Sequence, residues 1–195
     1  MKDIFFYPLS VLVFVGLIAY ALSFSKEVAP INVEQGFELS GEQLAFLSVP
    51  DRLSFAIETD DITQTKIAVL TSNVSKKTAP PSAGINIRLG TEFEKAFEGH
   101  TIDMIVRARM GDNNPAPAFQ IGYFSIGANS SGWKNFKPTK TYQDYKIRFK
   151  KGIPAGEAGG DYAGIWPDLD GQGRTLNIES ITVKPVRTVD VEGLR

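Results

Sequence analysis

The chain of 195 residues contains no cysteine and only one histidine, His100. Without thiols there are no disulfide staples, no thiolate nucleophile and no Cys-ligated metal. One imidazole cannot supply a His-rich metal centre, and His100 beside Gly99 reads as a solvated turn residue rather than a catalytic base. Basic runs are also missing: none is longer than Lys76-Lys77 or Lys150-Lys151, and the net charge is −1. Nucleic-acid binding needs a clustered basic face, so that class is set aside. There is no internal repeat, heptad or alternation of strands with long helices, which excludes solenoids, coiled coils and doubly wound sheets. Nor is there a Glu-x-Asp-x-Glu run along a strand, a pattern that jelly-roll glycosidases often show.

Charge is absent from one long stretch. Ile4 to Phe24 holds 21 residues without an ionisable group other than Tyr7 and Tyr20. As a helix rising about 1.5 Å per residue it would span about 31 Å, close to the hydrocarbon thickness of a bilayer. Ala19-Tyr20-Ala21 has the form of a signal-peptidase site, so a cleaved signal is the competing reading. The apolar run exceeds a usual signal core, and a retained anchor with an exported domain is favoured, placing the domain on the periplasmic or extracytoplasmic side of a cell membrane. The chain then divides into residues 1–26 as anchor or signal segment, 27–187 as a folded domain, and 188–195 as a flexible tail.

Glycine, proline and phenylalanine are plentiful in that domain, as short strands joined by turns require. Leu53, Phe55 and Ile57 alternate, as do Ile85, Ile87 and Leu89, and then Ile102, Met104, Val106 and Ala108. Each set marks a strand with one buried face. Pro80-Pro81 interrupts a loop between two of these strands. Thr91 and Glu94 have capping-box spacing, Phe93 and Phe97 lie four apart, and Gly99 suits a C-terminal cap, so one short helix is expected near 91–98. In the last strand Leu176 and Ile178 share one parity and Ile181 and Val183 the other, which predicts a bulge near Glu179-Ser180. About nine strands and one short helix give an all-β, two-sheet antiparallel jelly-roll sandwich.

Three segments carry a resemblance. The stretch from the short helix into Val106-Arg107-Ala108-Arg109 is similar to a strand of the galactose-binding-like carbohydrate-binding modules. Lys140-Thr141-Tyr142-Gln143-Asp144-Tyr145 resembles their Thr-x-aromatic-Gln-x-Tyr strand, and Leu176 to Val183 resembles their closing strand, with Glu179 and Ser180 where an acidic pair is common. The resemblance covers about residues 33–186. It implies a non-catalytic module that recognises a carbohydrate. Related modules often hold a structural calcium beside the first and last strands; Glu34, Glu38 and Glu179 are the nearest equivalents, and the matching Asp is missing.

The candidate ligand-binding set is Arg107, Arg109, Tyr123, Trp133 and Trp166. An indole stacks on the apolar face of a sugar ring, and a guanidinium grips hydroxyls or a carboxylate. The bland readings are that the aromatic rings plug the core and that the arginines pair with acidic neighbours on an outer face. Asp168-Leu169-Asp170-Gly171-Gln172-Gly173 resembles a calcium loop at a glance, but it lacks the EF-hand's helices and reads as a plain turn. No catalytic residue, metal or cofactor is expected. The expected partner is a carbohydrate, with an envelope protein as the alternative, in which case the sandwich is a structural or assembly element.

Overall fold

The computed structural model describes residues 36–154 and 159–186. Among these, no helix is long and apolar enough to cross a membrane. The apolar segment Ile4 to Phe24 and the tail 188–195 lie outside the described residues.

Among the described residues ten strands form two antiparallel sheets. The larger contains β1 (Phe37–Ser40), β2 (Leu53–Thr59), β3 (Lys66–Ser72), β5 (Thr101–Met110), β8 (Gln143–Lys150) and β10 (Thr175–Pro185). Its order is β2-β3-β10-β5-β8, with β1 also beside β10. The smaller contains β4 (Ile85–Leu89), β6 (Phe119–Ser125), β7 (Lys134–Phe136) and β9 (Asp161–Trp166), in the order β4-β9-β6-β7. The two-sheet sandwich read from the sequence is therefore what the chain forms.

The alternating residues do what their period requires. Ile102, Met104, Val106 and Ala108 of β5 are fully buried and meet Ile85, Leu89, Phe119, Ile121 and Ile165 of the smaller sheet in one core. Phe119 stands edge-on to Tyr145 of β8, with ring centroids 4.9 Å apart. Strand β10 solves the phase problem of its sequence with a bulge. Ile178 pairs with Ala108 and Ser180 with Arg107, so Glu179 is the extra residue. Leu176, Ile178, Ile181 and Val183 all reach zero exposure as a result. The same strand holds β5 along one edge; along the other it holds β3 with its first half and β1 with its second.

The short helix α1 spans Thr91–Ala96 and buries Phe93 against the core, with Phe97 following as its C-cap. Gly99 adopts φ +71°, the left-handed turn expected after it. The capping box is not formed. Gly90 is the N-cap and no side chain caps the helix. Glu94 is instead turned inward, 2% exposed, where it accepts a hydrogen bond from the Asp161 amide at 3.0 Å. A tertiary partner has outcompeted the local one.

Candidate functional site

The outward residues of the smaller sheet follow from its register. Gln120 faces Trp166 across the ladder, Gly122 faces Gly164, and Phe124 faces Tyr162. Asn86 and Arg88 of β4 are opposite Gly164 and Tyr162. Trp133, immediately before β7, joins this face: its ring lies 4.8 Å from Phe124 and 6.2 Å from Trp166. Tilts of 58° and 89° between these rings make an angled wall rather than a flat shelf.

Glycine gives this face its concavity. A Cβ on Gly164 would stand 2.1 Å from the Ala83 carbonyl oxygen, so only glycine lets the segment Asn73–Gly84 descend onto the sheet. Between that segment and the aromatic wall is a cavity of about 800 Å³. Phe124, Trp133, Tyr162, Asn86, Ser82 and Lys76 are among its lining residues. A second cavity of about 640 Å³ lies on the far side of Ala79 and Ser82, with Trp166 in its wall.

Lys76 is the cation of this site. Its ammonium lies 4.9 Å from the Trp133 ring centre and 4.4 Å from that of Trp166, within cation–π range of both. Burial pushes its pKa down. The loop at Asp168 anchors the main chain that carries Lys76. Both oxygens of the buried Asp168 carboxylate accept main-chain N–H groups: Asp170 on one, Gln172 and Arg174 on the other. The turn so formed presents the Leu169 carbonyl to the Lys76 amide at 2.9 Å and to the Ser75 hydroxyl at 3.2 Å. Gly171, at φ +70°, allows the close approach: a Cβ there would be 2.4 Å from the Ser75 nitrogen. The stretch that resembles a calcium loop is a turn whose carboxylate is occupied by amides.

The sequence-derived residues separate. Trp133 is half-buried and lines the cavity. Trp166 is 1% exposed and donates its indole N–H to the Asp168 carbonyl at 3.1 Å, which makes it the backing of the wall. Tyr123 points the other way. Its parity on β6 faces the core, where it is fully buried and donates its hydroxyl to Asp161. Lys151, also fully buried, meets the same carboxylate at 2.5 Å and the Glu94 carbonyl at 2.7 Å. Burial first, and then the hydrogen bond to Asp161 and its charge, hold the Tyr123 phenol far above its ordinary pKa.

Arg107 and Arg109 lie on the outer face of the larger sheet, away from the cavity, and both are paired. Arg107 bridges Glu179 at 2.5 Å and Asp144 at 3.1 Å. Arg109, only 4% exposed, donates to Asp60 at 2.8 and 3.2 Å and to Asp112 at 2.6 and 2.8 Å. Tyr142 closes this group, with its hydroxyl on Asp60 at 2.8 Å and its ring 5.2 Å from the Arg109 guanidinium. Burial raises the Asp60 pKa, but bonds from Arg109, the Thr63 and Ile62 amides and Tyr142 outweigh it and hold the carboxyl far below the usual range. The parity argument found the right face for both arginines and could not see the carboxylates waiting on it. His100 is exposed, with Nδ1 2.8 Å from the Glu98 carbonyl, at the turn where it was expected.

Lys76, Phe124 and Tyr162 were missed. Phe124 and Tyr162 carried a signal, the apolar residues on both faces of their strands. Lys76 had none beyond its place in a proline-containing loop.

No protein-family profile matches the chain, and no curated protein matches it. Solved structures do. A xylan-binding domain of carbohydrate-binding module family 22 superposes with a TM-score of 0.53 at 12% identity, over 81% of this chain and 99% of that one. The CBM22-2 xylan-binding domain from Paenibacillus barcinonensis gives 0.54 at 6% identity, over 77% and 99%. The C-terminal family 22 module from Clostridium thermocellum gives 0.53 at 13% identity, over 82% and 99%. At these identities the likeness shows a shared fold, the jelly-roll sandwich of those modules.

Proposed function

We propose that the cavity on the outer face of β4-β9-β6-β7 binds one or more sugar units of a glycan, without catalysis. The observation that carries the reading is the aromatic wall of Phe124, Trp133 and Tyr162 around about 800 Å³. That volume lies within the roughly 300–1,000 Å³ of typical ligand sites. Trp133 is the stacking platform, with Asn86 and Ser82 offering hydrogen bonds to hydroxyls. Among the described residues no Asp, Glu or His lines the cavity, so those walls lack the carboxylate pair that glycoside hydrolysis uses. The fold shared with xylan-binding modules supports the same reading as an analogy of scaffold. Of the five residues singled out in the sequence, the proposal keeps Trp133 as a contact and Trp166 as its support. Arg107, Arg109 and Tyr123 are structural in this proposal. The apolar segment Ile4 to Phe24 would hold the module at the outer face of a cytoplasmic membrane.

A concave, aromatic-lined site favours a small or linear ligand over the flat apolar patch that docking onto an envelope protein would use. The test compares two tryptophans by titration calorimetry with xylan and by thermal melting, on the full chain in mild detergent. Trp133→Ala weakens binding by about 1–3 kcal/mol, roughly 5- to 150-fold, with a smaller effect on melting. Trp166→Ala costs about 3–5 kcal/mol of stability because it empties a buried site. Undiminished affinity in Trp133→Ala, or no glycan bound by the parent chain in a glycan-array screen, rejects the proposal and returns the assembly role.

A further inference from the structure

We propose that this cavity selects a carboxylate-bearing glycan, a chain containing uronic acid units, with Lys76 as the group that recognises the carboxylate. The inference rests on the carbohydrate-binding reading above and names its substrate class.

The reasoning begins with how charges are placed across the described residues. Ion pairs join Arg107, Arg109, Lys146, Arg148, Lys151 and Arg174 to carboxylates within 4.0 Å. Lys76 forms none of them. It is nonetheless half-buried, its ammonium held over two indoles. Partial burial of a cation without an anion is unfavourable, and indole faces offset only part of the lost hydration. An anion entering the cavity would complete the pairing.

The cavity is built to receive one. Among the described residues Lys76 is its sole charged lining residue, and neutral amide and hydroxyl groups of Asn86, Ser48, Ser82 and Tyr162 make up the rest of its polar wall. Arg88 is exposed on the same face, directly opposite Tyr162 in the ladder, and forms no ion pair among the described residues. Among the described residues, a glycan running from the Trp133 wall towards Arg88 would meet two cations and no cavity-lining carboxylate. The main chain at Lys76 is also anchored, through its amide on the Leu169 carbonyl and the turn that Asp168 organises, and its ammonium is placed over the two indoles. A cation used only for solubility needs no such support. A uronic acid presents both parts of the required chemistry: an apolar ring face for Trp133 and a carboxylate for the ammonium.

The experiment compares polygalacturonate, the same polymer after carboxyl reduction, and neutral xylan, by affinity electrophoresis and titration calorimetry on the full chain in mild detergent. The expected result is a preference of about tenfold or more for the carboxylated polymer, diminishing as salt is raised. Lys76→Gln abolishes the preference while keeping the residual affinity for the reduced polymer, and Lys76→Arg retains it. Circular dichroism melting of both variants confirms that they are folded. Equal affinity for the acidic and reduced polymers, or a preference that survives in Lys76→Gln, overturns the inference and leaves carbohydrate binding standing. Failure of the parent chain to bind any of the three polymers overturns both.

Discussion

The two outer faces of the sandwich are built on opposite plans. On the larger sheet each outward arginine is answered from within the chain: Arg107 by Glu179 and Asp144, Arg109 by Asp60 and Asp112, Arg148 by Asp103. On the smaller sheet aromatic side chains stand among Gln120, Asn86 and Arg88, the backbone is thinned to glycine at 122 and 164, and Lys76 pairs with no carboxylate among the described residues. The first face is closed upon itself and the second is incomplete. A charged residue on a sheet surface is thus informative only once its neighbours are known: paired arginines describe how the fold is held, whereas a lysine set over two tryptophans is the starting point of the binding proposal.

The sharpest way to break this contrast is to remove Arg109. Asp60 has a fully buried side chain and would be left without its main counter-charge. Arg109→Ala should cost about 3–5 kcal/mol, which lowers the melting temperature by roughly 6–20 °C in a domain of this size. Glycan affinity per folded molecule should not change. If affinity fell while melting held, the closed face would have to be counted as part of the site.

Acid should distinguish the faces next. Bonds from Arg148 hold the Asp103 pKa down, bonds from Arg109 do the same for Asp112, and Asp60 is the most depressed of the three. Carboxyls held below their unfolded value stabilise the fold fully above about pH 4, and that contribution is lost as pH falls below it. Melting temperature should therefore be nearly flat from about pH 7 to 5 and decline below about pH 4. In Asp60→Asn the acid decline should be shallower and start from a lower plateau. A melting temperature unchanged down to about pH 2 would show that these pairs contribute little.

The smallest effect belongs to Arg107. Its side chain is 45% exposed and that of Asp144 is 60% exposed, so solvent screens the pair. Arg107→Ala should change stability by no more than about 1 kcal/mol and leave glycan binding untouched. Chemical denaturation resolves a change of that size, and a loss several times larger would put Arg107 with Arg109.

Periodicity carried most of the fold. Alternation located β2, β4 and β5 and the face each buries, and the parity slip after Ile178 located the bulge before any pairing was known. Very short elements were out of reach. Three-residue β7 and four-residue β1 have no room to display a period, and the 3-10 helix Gly41–Phe46 buries only Leu44. Reading the site was harder because burial on a sheet of mixed character depends on what covers it. Trp133 and Trp166 occupy the same outer face, yet the Asn73–Gly84 segment covers one and leaves the other at the cavity edge. Tyr123 is excluded by parity alone, since it sits one residue out of phase with Gly122 and Phe124, but which parity faces out becomes visible only when the β9 partner is known. Tertiary geometry likewise moved Glu94 from a helix cap to a contact with β9, across 67 positions of sequence.

Strand β10 has a consequence for how the chain comes into being. Among the described strands it is the last to leave a ribosome, and it is also the seam along which β1, β3 and β5 are joined. At about 5–20 residues per second, the edges of β1, β3 and β5 that face it wait for several seconds unpaired. The larger sheet cannot assemble in the order in which it is made. Its completion is a single late event, set by the arrival of Thr175 to Pro185. A nascent chain stopped just short of that segment would lose the middle of its sheet rather than an edge, with three strand edges open to the nearest neighbouring chain.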